Sequence, residues 1–290
     1  MYCALTVDLK HSRRYDNQAR LELQEYLVQS MELLNQIFAD SLEKELRFSG
    51  GDELQGLFSR ADAAILCFRL LRRMVFPAEL HAGFGMGEWN VRILDRDTFY
   101  QDGSAYHRAR EAVEQAKRDT DRDVVFLSGD PMMDGMRDAL LNGALRLTAG
   151  NTVYQNELAV LLECLYPIPP RGRLWAIPLH KIPALMERRY ELMFYQKGFS
   201  KSRKSPLMYG CINDQDAEKA FIRECKQQEA GQEGTWAHPR GAASEVAKAA
   251  NLTRQAVDTA LKSANVYHER ALILALMKLS KNRETEKGGL

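Results

Sequence analysis

Several things are missing from this 290-residue chain, and each absence narrows the reading. No apolar run approaches the ~18 residues that a membrane-spanning helix needs. The start, Met1 to Asp8, reads as a strand without the basic and long apolar regions of a signal peptide. Cysteine is sparse and scattered: Cys3, Cys67, Cys164, Cys211 and Cys225 form no C-x-x-C pair. An odd, dispersed set argues against a disulfide frame or a zinc site, and for reduced thiols in a cytoplasmic protein. An excess of one charge is missing too, with 40 Lys and Arg against 39 Asp and Glu, so overall charge selects no partner. Glycines occur in clusters, but no Gly-Lys-Ser/Thr follows them, which removes the phosphate-binding P-loop.

What is present centres on Leu46 to Phe58, two short apolar runs around Gly50-Gly51-Asp52-Glu53. The paired glycines supply the positive φ of a two-residue hairpin loop, and alternation through Leu46, Phe48, Leu54, Gly56 and Phe58 plants one face in a core. Asp52 and Glu53 then stand at the tip of a rigid element. A divalent cation suits them, because Mg²⁺ takes one or two carboxylates and completes its shell with water and phosphate oxygens. A solvent-exposed acidic turn is the plainer alternative. Upstream, Tyr2 to Leu9 is an apolar strand broken by Asp8. An aspartate there, with an acidic hairpin after one intervening helix, is a pattern suited to two-metal phosphoryl or nucleotidyl transfer.

Asp8, a long helix and Gly50-Gly51-Asp52-Glu53-Leu54 together resemble the palm domain shared by diguanylate cyclases (the GGDEF family), class III nucleotide cyclases and CRISPR polymerase subunits. Ala109 to Arg118 is similar to the last GGDEF helix, whose lysine contacts substrate phosphates. The likeness spans roughly residues 1–130, and the whole chain resembles the bacterial SatD family. It implies Asp8, Asp52 and Glu53 as catalytic residues, with Asp8 and Asp52 holding Mg²⁺ or Mn²⁺. It further implies Ser12, Gly50, Gly51, Arg110 and Lys117 around a nucleoside triphosphate, ATP or GTP, and a homodimer with facing palms. Two departures stand out. Asp8-Leu9-Lys10 lacks the second acidic residue of diguanylate cyclases, and the base-selecting residues of either cyclase class have no counterpart.

Apolar spacing predicts a helix over 19–45, another over 61–75 closed by Pro77, a strand over 80–91, a helix over 104–117 and a strand over 123–128. The expected fold is α+β: a ferredoxin-like βαββαβ palm with helices on one face of an antiparallel sheet. Gly83, Gly85 and Gly87 share one strand face and invite a close backbone or a ligand, packing being the favoured explanation. Residues 92–103, with Asp95, Asp97 and Asp102, read as a solvated loop. The domain expectation is 1–130 for the palm, 131–205 for a helical basic linker, and 206–290 for a helical C-terminal domain.

From Tyr166 to Ser205 nine basic residues face two acidic ones, interleaved with Tyr190, Phe194, Tyr195 and Phe199. That composition fits a nucleic-acid footprint and a solvated linker helix equally well. Residues 244–262 look like a helix-turn-helix: Val246, Ala250, Leu252, Val257 and Leu261 buried, Asn251 in a left-handed turn, and Thr253 capping the second helix. At this DNA-binding surface Arg254 and Gln255 would meet base edges, with Thr253 at the helix start and Lys262 nearer the phosphates.

Three functions follow. One is a metal-dependent nucleotidyltransferase or cyclase-like protein, acting on a nucleoside triphosphate and coupled to DNA binding. Another is a nucleotide-sensing DNA-binding regulator without turnover. The third is an interaction scaffold in which both sites are vestigial.

Overall fold

A computed structural model describes residues 1–12, 15–51, 53–168, 181–193, 195 and 236–281. Strand β1 (Tyr2–Leu9) leads through α1 (Asn17–Ile37) to β2 (Leu42–Gly50) and β3 (Glu53–Phe58). Then come α2 (Ala61–Val75), β4 (Leu80–Gly87), α3 (Ser104–Arg118) and β5 (Val124–Leu127). Helices follow: α4 (Pro131–Thr148), α5 (Val153–Leu165), α6 (Lys181–Glu187), α7 (Ala242–Ala249), α8 (Arg254–Ser263) and α9 (Val266–Lys281). The fold is α+β. Among the described residues no helix is long and apolar enough to cross a membrane. The chain divides into two compact units, one of Met1–Asn142 with the segment from Ala275, the other Gly143–Leu274.

In the first unit five strands form one sheet in the order β2-β3-β1-β4-β5. All neighbours are antiparallel except β4 and β5, which run parallel and are joined by α3. The two faces differ in kind. On one, Phe84 stacks on Phe126 at 4.5 Å and meets Phe68 of α2 edge-on at 5.8 Å. Each such fully buried ring contributes roughly 1.5–3 kcal/mol of transfer free energy. The other face of β4 carries Gly83, Gly85 and Gly87, and α3 lies directly on it. A β-carbon at Gly83 would stand 2.2 Å from the Ala109 carbonyl oxygen, and one at Gly87 2.4 Å from Ser104 Oγ. Ala105, Ala109, Ala112 and Ala116 of α3 are fully buried there. Helices therefore cover both faces, not one, because the glycine-stripped face is bare until α3 fills it. The glycines serve packing.

The helix expected over 19–45 ends at Ile37, and a short 3₁₀ turn at Ala39–Ser41 leads into β2. From Leu42 the burial alternates, with Glu43, Glu45 and Arg47 outward and Lys44 and Leu46 inward. Lys44 is the reason that the strand reads as helix: an inward lysine breaks the apolar alternation. Its ammonium donates to the carbonyls of Ile93 (3.1 Å), Leu94 (2.9 Å) and Arg96 (2.7 Å). Gln101 joins it, donating to the carbonyls of Ile93, Arg96 and Asp97 while accepting from the Trp89 indole and the Ile93 amide. The loop after β4 is solvated as expected, with Asp95, Asp97 and Asp102 exposed, but it is also braced from within, and β4 stops at Gly87 rather than running to residue 91.

Side chains close the sheet's borders. On β2, Asn35 of α1 accepts from the Leu46 amide (2.8 Å) and donates to its carbonyl (3.1 Å). On β5, one stripe of α4 does the same work. Asn142 accepts from the amides of Asp123 and Val124 and donates to the Val124 carbonyl, Asp138 accepts from Phe126, and Asp134 accepts from Ser128. Burial pushes Asp138 up to about 6, although the Phe126 amide and the Arg122 guanidinium both favour its charged form.

The second unit is helical. Leu158, Leu161 and Leu162 of α5 share a core with Val246, Val257 and Leu261 of α7 and α8. A capping box between Thr152 and Gln155 starts α5. Arg270, fully buried, binds Glu163 (2.5 Å) and the carbonyls of Tyr166 (2.9 Å) and Trp236 (2.7 Å). Part of the basic, aromatic stretch is visible here and is internal. Arg189 is fully buried, lies over the Tyr195 ring at 5.0 Å and faces Glu157, to which Tyr190 donates a hydrogen bond. Arg189 and Tyr195 are buried and Tyr190 is half-buried, whereas Lys181 and Arg188 of the same stretch are exposed. Arg171, Arg173, Phe194, Lys197, Phe199, Lys201, Arg203 and Lys204 lie outside the described residues.

Candidate functional site

Hydrogen-bond register builds a polar row across one end of the sheet. Asp8, next to last in β1, stands opposite Glu53 of β3 on one side and His81 of β4 on the other. Directly paired residues project to the same face, here the face that α3 covers. Asp123, just before β5, lies beside the row and forms an ion pair with Lys10. Burial, then the neighbouring Lys10, pushes His81 down to about 4, against the pull of Asp123. The imidazole is therefore neutral at neutral pH.

Lys117, in the last turn of α3, completes the site. Its ammonium lies 3.0 Å from Asp8 Oδ1, 2.9 Å from Glu114 Oε1 and 3.9 Å from Glu53 Oε2. The close seat of α3 on the glycine face carries it there. Burial opposes the charge on Lys117, but hydrogen bonds to Glu114 and Asp8 outweigh it and hold the pKa above the ordinary lysine value. Glu53 is steadied on its other side by Ser49 Oγ at 2.9 Å. One cation thus gathers three carboxylates from β1, β3 and α3, with the Asp8 and Lys117 side chains 17% and 27% exposed.

Of the residues expected in the site, Asp8, Glu53 and Lys117 come together. Gly50 ends β2 and pairs with Glu53, so it belongs to the strand rather than to the turn that the paired glycines suggest. Gly51 takes the left-handed conformation (φ 60°), with open space where a side chain would be. Asp52 lies outside the described residues. Ser12 is half-buried in the turn after β1, its carbonyl accepting from the Tyr15 amide and from Arg20. The start of α1 is already capped by the Asp16 carboxylate, which accepts from the Ala19 amide at 2.8 Å. Arg110 is exposed two turns before Lys117, with Glu114 between them on the same helix face. Reading the sequence missed His81 and Asp123. Their signal was a polar residue at the start of each core strand.

In the second unit, α7 and α8 are joined by a turn in which Asn251 has φ 52° and Thr253 caps α8, accepting from the Ala256 amide at 3.2 Å. Thr253, Arg254, Gln255 and Lys262 are all exposed, and Lys262 pairs with Asp258 at 2.6 Å. A groove beside α8 is lined by Thr152, Tyr154, Gln155, Gln255, Thr259 and Ser263.

Among the described residues, no group of three or more His, Cys, Asp and Glu side chains is arranged to enclose a metal ion. The donor chemistry nevertheless suits a hard divalent cation shared with phosphate. Asp8 and Glu53 are oxygen donors that already converge on one positive charge, and Mg²⁺ asks for only one or two protein carboxylates.

The chain belongs to the SatD family, whose family model matches residues 2–159, more than half of its length. No curated protein and no solved structure matches it.

Proposed function

We propose that this SatD-family chain binds a nucleoside triphosphate with Mg²⁺ or Mn²⁺ at the Asp8–Glu53–Lys117 end of its sheet, transfers the nucleotidyl group, and contacts DNA through α8. The observation that carries the reading is the meeting of Asp8, Glu53 and Lys117 from three separate elements. The succession β1-α1-β2-β3-α2-β4 with strand order β2-β3-β1-β4 supports a ferredoxin-like palm, to which β5 is added at one border.

Asp8 and Glu53 would hold the cation, with Asp52 as the further ligand implied by the palm resemblance. Such an ion, when bound, offsets phosphate charge and makes an attacking hydroxyl a better nucleophile. Lys117 would pass its charge from the carboxylates to the phosphates, and Arg110 would meet the outer end of the chain of phosphates. The open side of Gly51 leaves room for the ligand's approach. A homodimer with facing palms belongs to the same reading.

For DNA, the exposed start of α8 offers Arg254 and Gln255 to base edges, with Thr253 and Lys262 flanking. The left-handed Asn251 and the Thr253 cap support a helix-turn-helix.

Calorimetric titration of ATP and GTP, with and without Mg²⁺, tests the first unit on wild type and on Asp8→Asn, with pyrophosphate release followed in parallel. Binding that requires both Mg²⁺ and Asp8, with release, is the expected result; no binding to either nucleotide overturns it. Binding without release would establish the sensor reading, which has its own support in the way that Lys117 already occupies the carboxylates. For the second unit, Arg254→Ala should weaken DNA retention without altering nucleotide binding.

A further inference from the structure

Lys117 does more than stand near the acidic row: it fills the place that a metal ion would take. We propose that its ammonium is a tethered cation that competes with divalent metal for Asp8 and Glu53, so that metal alone binds weakly and metal with a triphosphate binds well. The triphosphate part of this inference rests on the function proposed above; the competition itself does not.

Geometry carries the argument. The ammonium sits 3.0 Å from Asp8 and 3.9 Å from Glu53, and Glu114 at 2.9 Å fixes it from the helix side. Any divalent ion bound by Asp8 and Glu53 would meet this charge at contact distance. A metal ion and an ammonium at contact distance on the same carboxylate oxygens repel, so the lysine has to withdraw from its present position as the metal enters. Swinging it into water exchanges its hydrogen bonds to Asp8 and Glu114 for hydration alone and gives up the nearby negative charges. A triphosphate changes that balance, because its oxygens offer the displaced ammonium a new partner while also completing the metal's shell. Metal and nucleotide would then enter together, each improving the other's binding by the same factor.

The test uses the full chain and Mn²⁺, whose free-ion spectrum disappears on binding, in the absence of any nucleotide. Lys117→Met removes the charge and keeps the bulk. It should bind Mn²⁺ at least about tenfold more tightly than wild type, the scale expected when a unit charge leaves the neighbourhood of carboxylates. Lys117→Arg keeps the charge and should stay as weak as wild type. Adding Asp8→Asn to Lys117→Met should abolish the gain. Circular dichroism and thermal melting confirm folding, and Lys117→Gln replaces Lys117→Met if the latter does not fold. A folded, charge-free variant that binds Mn²⁺ no better than wild type overturns the proposal. So does a gain that survives Asp8→Asn, or an equal gain in Lys117→Arg. A parallel titration of wild type with α,β-methylene ATP or GTP separates the two readings. Failure there with success in the Mn²⁺ series rejects the nucleotide and keeps the tethered cation, and the reverse pattern does the opposite.

Discussion

The backbone of Ala105 passes so close to Gly85 that a β-carbon on the glycine would lie 2.1 Å from the Ala105 carbonyl oxygen. The same carbon would lie 2.2 Å from the Ala109 amide nitrogen, so no flexible side chain could yield to it. Gly85→Ala must push α3 off the sheet. The expected loss of stability is about 3 kcal/mol, the upper end for overpacking, read as a lower denaturant midpoint with unchanged slope. Nucleotide binding should weaken in the same variant, since α3 is what delivers Lys117 to Asp8.

This contact also marks where sequence reasoning succeeds and where it stops. Strands β1, β3 and β4, α2 and α3 are legible because their apolar residues recur with the right period. The Gly83-Gly85-Gly87 stripe announces a close neighbour, yet not which one, because a small residue records the space it leaves and not what enters. Lys44 hides β2 by putting a charge where a strand expects an apolar residue. Asp8, Glu53 and Lys117 are each legible as candidates. Their meeting depends on register and on the depth at which α3 sits, neither of which is written in local spacing.

Lys44 invites a direct test. Its ammonium satisfies three carbonyls of the loop after β4. Lys44→Met removes that donor; Gln101 still serves the Ile93 and Arg96 carbonyls, so the Leu94 carbonyl loses most and the expected cost is about 1–2 kcal/mol. Amide hydrogen exchange over residues 91–97 should quicken relative to β1, whereas a Lys44 that contributes only bulk would leave exchange unchanged.

His81 should make stability depend on pH. Its folded pKa, about 4, lies below its ordinary value of 6.5. Between those two values the unfolded chain takes up a proton that the folded chain refuses, so this group's contribution is complete above pH 6.5 and lost as pH falls toward 4. Asp138 works in the opposite direction: raised from 3.8 to about 6, it favours the folded state as pH falls through that window. The test is therefore a difference. Unfolding free energies of wild type minus His81→Gln, measured from pH 4 to 7, should rise with pH, and a flat difference would show the imidazole to be unperturbed.

Asn142 holds Val124 by both its amide and its carbonyl, at 3.1 and 2.8 Å. Asn142→Leu keeps the volume and removes the hydrogen bonds, at an expected cost of about 2–3 kcal/mol. Chemical denaturation measures it; a change under 0.5 kcal/mol, the ordinary range for surface substitutions, would mean that water replaces the amide without loss.

The closed borders reach further than stability. A strand offered by another protein, or by a second copy of this chain, finds the peptide groups of Leu46 on one side and of Val124 and Phe126 on the other already engaged. Assembly by sheet extension is thereby discouraged at both flanks. In the homodimer proposed above, two chains would meet through helices, loops or sheet ends, and a meeting at the sheet end that bears Asp8 and Lys117 would set one such pair before another.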